Sequence, residues 1–230
     1  MKNRTAVIVG AGNGLSASVA RLLAQRGYDV VLAARDTAKL DALAQETGAR
    51  CVAVSGQDPE QMAALFADLP SPLGVALYNP SARVRGPLTE VDPETVRQAI
   101  EVTAFGAFLM GQQAARLMLQ NEGDSKGTIL FTGASAGVKG FAQSATFAMG
   151  KFAQRGLAQS MARELHPQGI HVAWVNIDGA ISNPEKGGAD DGGDAKLDPD
   201  AIAQSYMHLI DQPRSVWSDE LTLRPWVERF

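Results

Sequence analysis

The chain has 230 residues and a single cysteine, Cys51, so no internal disulfide can form, as expected of a protein from a reducing compartment. It has no basic excess. Its 21 Lys and Arg stand against 25 Asp and Glu, and the formal net charge of −4 argues against nucleic acid, whose phosphates need a cationic face. No apolar run is long enough for a signal peptide or a membrane span; the first, residues 6–9, ends in glycines. No Pro/Ser-rich linker divides the chain, and no internal repeat is present. No Cys, His or Asp cluster has metal-ligand spacing. His171 lies inside an apolar run and His166 precedes Pro167, so both read as structural. With 45% apolar residues the expectation is one cytoplasmic globular domain over 1–230, with no metal, nucleic acid or membrane among its partners.

What the chain does have is alternation. Short apolar, often β-branched runs occupy residues 6–9, 30–33, 51–54, 73–78, 128–131 and 170–175. Helix-like stretches lie between them at 15–26, 37–46, 58–67, 92–119 and 144–165. Strands apolar on both faces imply a parallel sheet covered on both sides. The prediction is an α/β fold of Rossmann type: a doubly wound parallel sheet of about seven strands with helices on both faces. Asp92 before Pro93 reads as a cap followed by a first turn. Residues 183–198 break the pattern: rich in Gly, Asp and Lys, they read as a flexible, lid-like loop. A helix at 199–210 and a strand near 220–223 follow.

Between the first strand and the first helix stand Gly10, Ala11, Gly12, Asn13, Gly14, Leu15 and Ser16. Glycines here let the backbone turn tightly and approach a pyrophosphate resting on the helix N-terminus. The stretch resembles the T-G-x-x-x-G-x-G fingerprint of short-chain dehydrogenase/reductases: Gly10 and Gly14 match, and Ser16 replaces the third glycine. Tyr78, Asn79, Pro80 and Ser81 resemble the family's N-N-A-G element, keeping only Asn79. Residues 128–137, 151–158 and 169–181 continue the resemblance. It implies cofactor contacts from Gly10, Gly12, Asn13, Gly14, Leu15, Asn79, Lys151, Gly179 and Ile181. At the tip of the second strand, Ala34 stands where an acid would grip the ribose hydroxyls of NAD(H), and Arg35 follows. In the family this favours NADP(H), whose 2′-phosphate a guanidinium pairs with, although Asp36 beside it counts slightly the other way. Ser55 stands where many relatives carry an adenine-contacting Asp.

The catalytic positions depart from the family. There a tyrosine hydroxyl exchanges a proton with the substrate oxygen, a lysine four residues later binds the nicotinamide ribose, a serine holds the substrate and an asparagine supports a proton relay. Here Lys151 matches and Phe147 occupies the tyrosine position, on the same helical face. Thirteen residues before Phe147 lies Ala134 at the serine position, with Ser135 adjacent, and Thr103 falls where the asparagine belongs. A phenyl ring has no proton to give, and general acid–base catalysis is worth about 10²–10⁴ in rate. The resemblance therefore implies an NADP(H)-dependent oxidoreductase with atypical or slow hydride transfer, or a non-catalytic NADP(H)-binding sensor or partner protein. Tyr78 is a candidate substitute donor or a packing residue, and Asp178, in place of a neutral turn, a candidate acid or a turn cap. Ser144, seven before Lys151, is a poor acid. The family also implies a homodimer or homotetramer.

Overall fold

The computed structural model describes residues 4–70, 72–182 and 194–228. Seven strands, β1 (Thr5–Val9), β2 (Asp29–Ala34), β3 (Arg50–Ala53), β4 (Leu73–Tyr78), β5 (Gly127–Thr132), β6 (Ile170–Ile177) and β7 (Glu220–Leu223), form one sheet. Its order is β3-β2-β1-β4-β5-β6-β7, and every pairing is parallel. The chain therefore runs outward from β1 in one direction and then returns to run outward in the other. The order reverses between β1 and β4, and the carboxyl edge at such a point is the usual place for a ligand in these sheets.

The helices are α1 (Leu15–Gln25), α2 (Asp41–Thr47), α3 (Pro59–Ala67), α4 (Pro93–Ile100), α5 (Gly106–Met118), α6 (Ala145–Leu165) and α7 (Pro199–Asp211). Side-chain alternation splits the core in two. Val7, Val9, Ile129, Phe131, Val172 and Trp174 face a layer holding Met62, Met110 and Met161 of α3, α5 and α6. Ala6, Ile8, Leu130, Ala173 and Val175 face Val19, Leu43 and Tyr206 of α1, α2 and α7. Completely buried strands such as β1, β4 and β6 need this double cover.

The long helix expected over 92–119 is interrupted by a π-helical segment, Glu101–Phe105, between α4 and α5. Two donors from outside meet its carbonyls: the Tyr78 hydroxyl donates to Val102, and the Gln154 side-chain amide donates to Thr103. Side chains inserted into the backbone ladder in this way open a helix locally. Most of the lid-like loop expected at 183–198 lies outside the described residues. Its end returns to the fold, because Leu197 bridges to Ile181 and the Ser182 amide donates to the Leu197 carbonyl. Among the described residues no helix is long and apolar enough to cross a membrane, and no cluster of side chains is arranged to hold a metal.

Candidate functional site

The carboxyl edge of β1 begins with a pinned turn. Gly10 has φ +81°, and a Cβ there would lie 2.6 Å from the Pro80 ring, so only glycine fits. The Gly10 and Ala11 amides both donate to the Ala33 carbonyl, at 2.8 and 3.1 Å. Ser16, at the position of the missing third glycine, bridges the turn. Its hydroxyl donates to the Gly10 carbonyl at 3.2 Å and accepts from the Asn79 amide at 2.7 Å. Asn79 thus ties the end of β4 to the start of α1. Gly14 caps α1, Leu15 is buried beneath it, and the first helical turn carries no acid. Gly12 faces open space and Asn13 is exposed.

Arg35 projects exposed from the end of β2. The neighbouring Asp36 carboxylate accepts from the Ala38 amide at 3.1 Å and so caps its own turn. An acid-free helix N-terminus, an open glycine and a cation at the β2 tip fit the pyrophosphate and 2′-phosphate of a dinucleotide.

On α6, Phe147 and Lys151 share the buried face, 5% and 2% exposed respectively. The Lys151 ammonium donates to the Thr132 carbonyl at 2.6 Å and to the Gln154 side-chain oxygen at 3.3 Å. Burial, reinforced by the charge of Arg83, pushes the Lys151 pKa down to about 7. Gln154 is a fully buried hub: the same oxygen accepts from the Trp174 indole at 3.3 Å, and its amide reaches the Thr103 carbonyl. The Thr103 hydroxyl accepts from the Ala82 amide at 3.1 Å, holding the loop after β4 against the π segment. Over the outer face of Phe147 lies the Arg83 guanidinium, 4.2 Å from the ring centroid. Sequence patterning singles out neither Gln154 nor Arg83. Gln154 was readable only as a polar residue near Lys151 on a helical face that also carries apolar and small residues, and Arg83 sits in a loop with no period.

The remaining candidates lie apart from this centre or serve the backbone. The Tyr78 ring is fully buried, and burial raises its hydroxyl pKa well above the usual phenol range. The Asp178 carboxylate pairs with Arg224 at 3.2 Å, and its amide donates to the Leu223 carbonyl, fastening the end of β6 to the end of β7. Gly179 packs against Pro225, and Ile181 is half-buried at the bridge to Leu197. Ala134 is extended at the end of β5, and Ser135 opens the short 3-10 turn Ser135–Gly137. Ser144 precedes α6 without capping it through its side chain.

Comparison with known proteins places this geometry in context. A family model described as short chain dehydrogenase matches residues 4–183. A short-chain dehydrogenase from Rhodopseudomonas palustris superposes with a TM-score of 0.84 at 34% identity, covering 98% of this chain and all of its own, 100%. A metagenomic short-chain oxidoreductase solved in complex with NADP is 26% identical, with a TM-score of 0.84 and 98% of each chain covered. An uncharacterized oxidoreductase from Staphylococcus saprophyticus is 27% identical over 234 residues, 98% of each chain.

Proposed function

The chain belongs to the short-chain dehydrogenase family, and from that premise we propose that it is an NADP(H)-dependent oxidoreductase working without the family's usual proton donor. The observation that carries this reading is the pairing on α6: Lys151 is buried and anchored where the family's lysine stands, while Phe147 offers no ionisable group. The NADP-bound metagenomic relative supports the choice of cofactor.

The residues divide the work. Gly10, Gly12, Asn13, Gly14 and Leu15 present the α1 N-terminus to a pyrophosphate, and Arg35 pairs with the 2′-phosphate. Asn79 acts through Ser16, fixing the turn. Lys151 gives two of its three ammonium protons to Thr132 and Gln154, leaving one for a nicotinamide-ribose hydroxyl. Gly179 and Ile181 border the carboxamide end. When bound, the nicotinamide supplies or accepts the hydride. Phe147 has no proton to give, the Tyr78 hydroxyl donates to the Val102 carbonyl, Asp178 is held by Arg224, and the Thr103 hydroxyl accepts from the Ala82 amide. On this reading the Lys151 proton serves the ribose and the substrate proton comes from solvent, which leaves a shortfall of about 10²–10⁴ in rate against a site with its own acid. The same lack of an acid supports the second reading, a non-catalytic NADP(H) sensor. Failure of bound NADPH to be oxidised by any activated carbonyl or alkene selects it.

The direct test is a titration of NADPH and of NADH followed by nicotinamide fluorescence. The expected result is micromolar binding of NADPH, weaker binding of NADH, and loss of that preference in Arg35→Ser. Binding of neither nucleotide would overturn the reading.

A further inference from the structure

Arg83 has a setting that cofactor binding does not explain. Its guanidinium lies over the Phe147 ring, 4.2 Å from the centroid, and Phe147 is the residue at the family's tyrosine position. None of the ion pairs among the described residues includes it. The charges that bear on it and on its neighbourhood are all positive: Arg85 acts on Arg83, and Arg83 acts on Lys151. Arg83 and Arg85 repel one another with no described carboxylate acting on Arg83, and a bound anion would relieve that repulsion. Arg83 belongs to the loop whose Ala82 amide is fastened to Thr103, so its position is set by the fold despite its exposure to solvent.

Resting on the oxidoreductase reading above, we infer that Arg83 is a substrate-binding residue and that the substrate carries a carboxylate next to the reacting carbon, as in a short 2-oxo or 2-hydroxy acid. A planar guanidinium recognises a carboxylate through two parallel hydrogen bonds, and the cation–π contact with Phe147 holds Arg83 at this place. The apolar ring at 147 then has a use of its own: it forms the platform for the arginine. Because the guanidinium touches the residue at the family's tyrosine position, the anion it holds is placed close to the reacting carbon. A distant phosphate or a long acidic tail would reach past this cation.

The test uses benzoylformate and its neutral methyl ester, titrated by calorimetry into the full chain saturated with NADP⁺, so that no turnover occurs. The acid is expected to bind at least tenfold tighter than the ester. Arg83→Met should abolish that preference while leaving ester binding and the NADP⁺ affinity unchanged. Arg83→Lys should restore only part of it, since an ammonium is a point charge without the fork. Arg35→Ser serves as a control for the other anion site and should leave the acid preference intact. Equal binding of acid and ester, a preference that survives Arg83→Met, or no binding of either probe at millimolar concentration would overturn the inference. If NADP⁺ does not bind but an Arg83-dependent preference for the acid persists, the carboxylate site stands and the cofactor reading falls.

Discussion

Burial of the Lys151 ammonium, which brings its pKa to about 7, has a consequence for stability as well as for binding. The unfolded chain keeps this lysine near its ordinary value of 10.5, so between pH 7 and 10.5 the unfolded state binds more protons. Stability then rises with pH across that window; the handicap is complete below about 7 and disappears toward 10.5. Lys151→Met should therefore melt at a higher temperature than the natural chain at pH 7, with the gain shrinking toward pH 10, while NADPH binding is lost. A melting difference that is the same at both pH values would contradict this assignment. At this scale the sequence was partly legible. The Phe147–Lys151 pair followed from the resemblance to the family's tyrosine–lysine motif, with helical spacing putting both on one face, and the glycine turn from its place between strand and helix. Arg83 and the double role of Ser16 were not legible, because both depend on contacts across long stretches of chain, to Phe147 and to Asn79.

At the scale of elements, the π segment is where the loop after β4, α5 and α6 meet. Gly106 begins α5 beneath the Tyr78 hydroxyl; a Cβ there would lie 2.1 Å from that oxygen and 2.6 Å from the Gly56 carbonyl. Gly106→Ala should displace Tyr78 from Val102 and destabilise the fold by about 1–3 kcal/mol, the usual range for overpacking. A denaturant midpoint unchanged from that of the natural chain would remove Tyr78 as the support of this segment. Nearly all elements lie within two or three residues of where periodicity predicts them, because each strand and helix carries its own apolar pattern. The π interruption was hidden, since the pattern of residues 92–119 is continuous and the donors that open the ladder come from β4 and α6. The histidines expected to be structural sit at the foot of β6: the His171 ring stacks on Trp217 at 4.9 Å, and its Nε2 meets the Ser218 carbonyl.

For the whole molecule, alternating strands and helices imply a parallel sheet with right-handed crossovers, while the strand order β3-β2-β1-β4-β5-β6-β7 is seen only in the structure. Several of the exposed large apolar side chains lie on the outer side of neighbouring helices. Phe105 and Phe108 stack with ring centroids 6.3 Å apart, and together with Met149 and Phe152 on α6 they are 42–53% exposed. Large apolar side chains gathered on neighbouring helices mark an interface. We expect a dimer or tetramer by light scattering and a monomer for the double variant Phe108→Asp/Phe152→Asp; a monomeric natural chain at micromolar concentration would argue against this face. Substrate identity was not legible at this scale, because it rests on one loop cation that composition and fold class do not register.

The central claim, a reductase site built without its proton donor, is tested most directly at position 147. Single-turnover oxidation of NADPH by a panel of carbonyl compounds, including 2-oxo acids, should be compared between the natural chain and Phe147→Tyr. The account predicts slow oxidation by the natural chain and a gain of about 10²-fold or more once a hydroxyl is restored beside Lys151. Fast turnover by the natural chain, or no gain with the tyrosine on any compound, would contradict it.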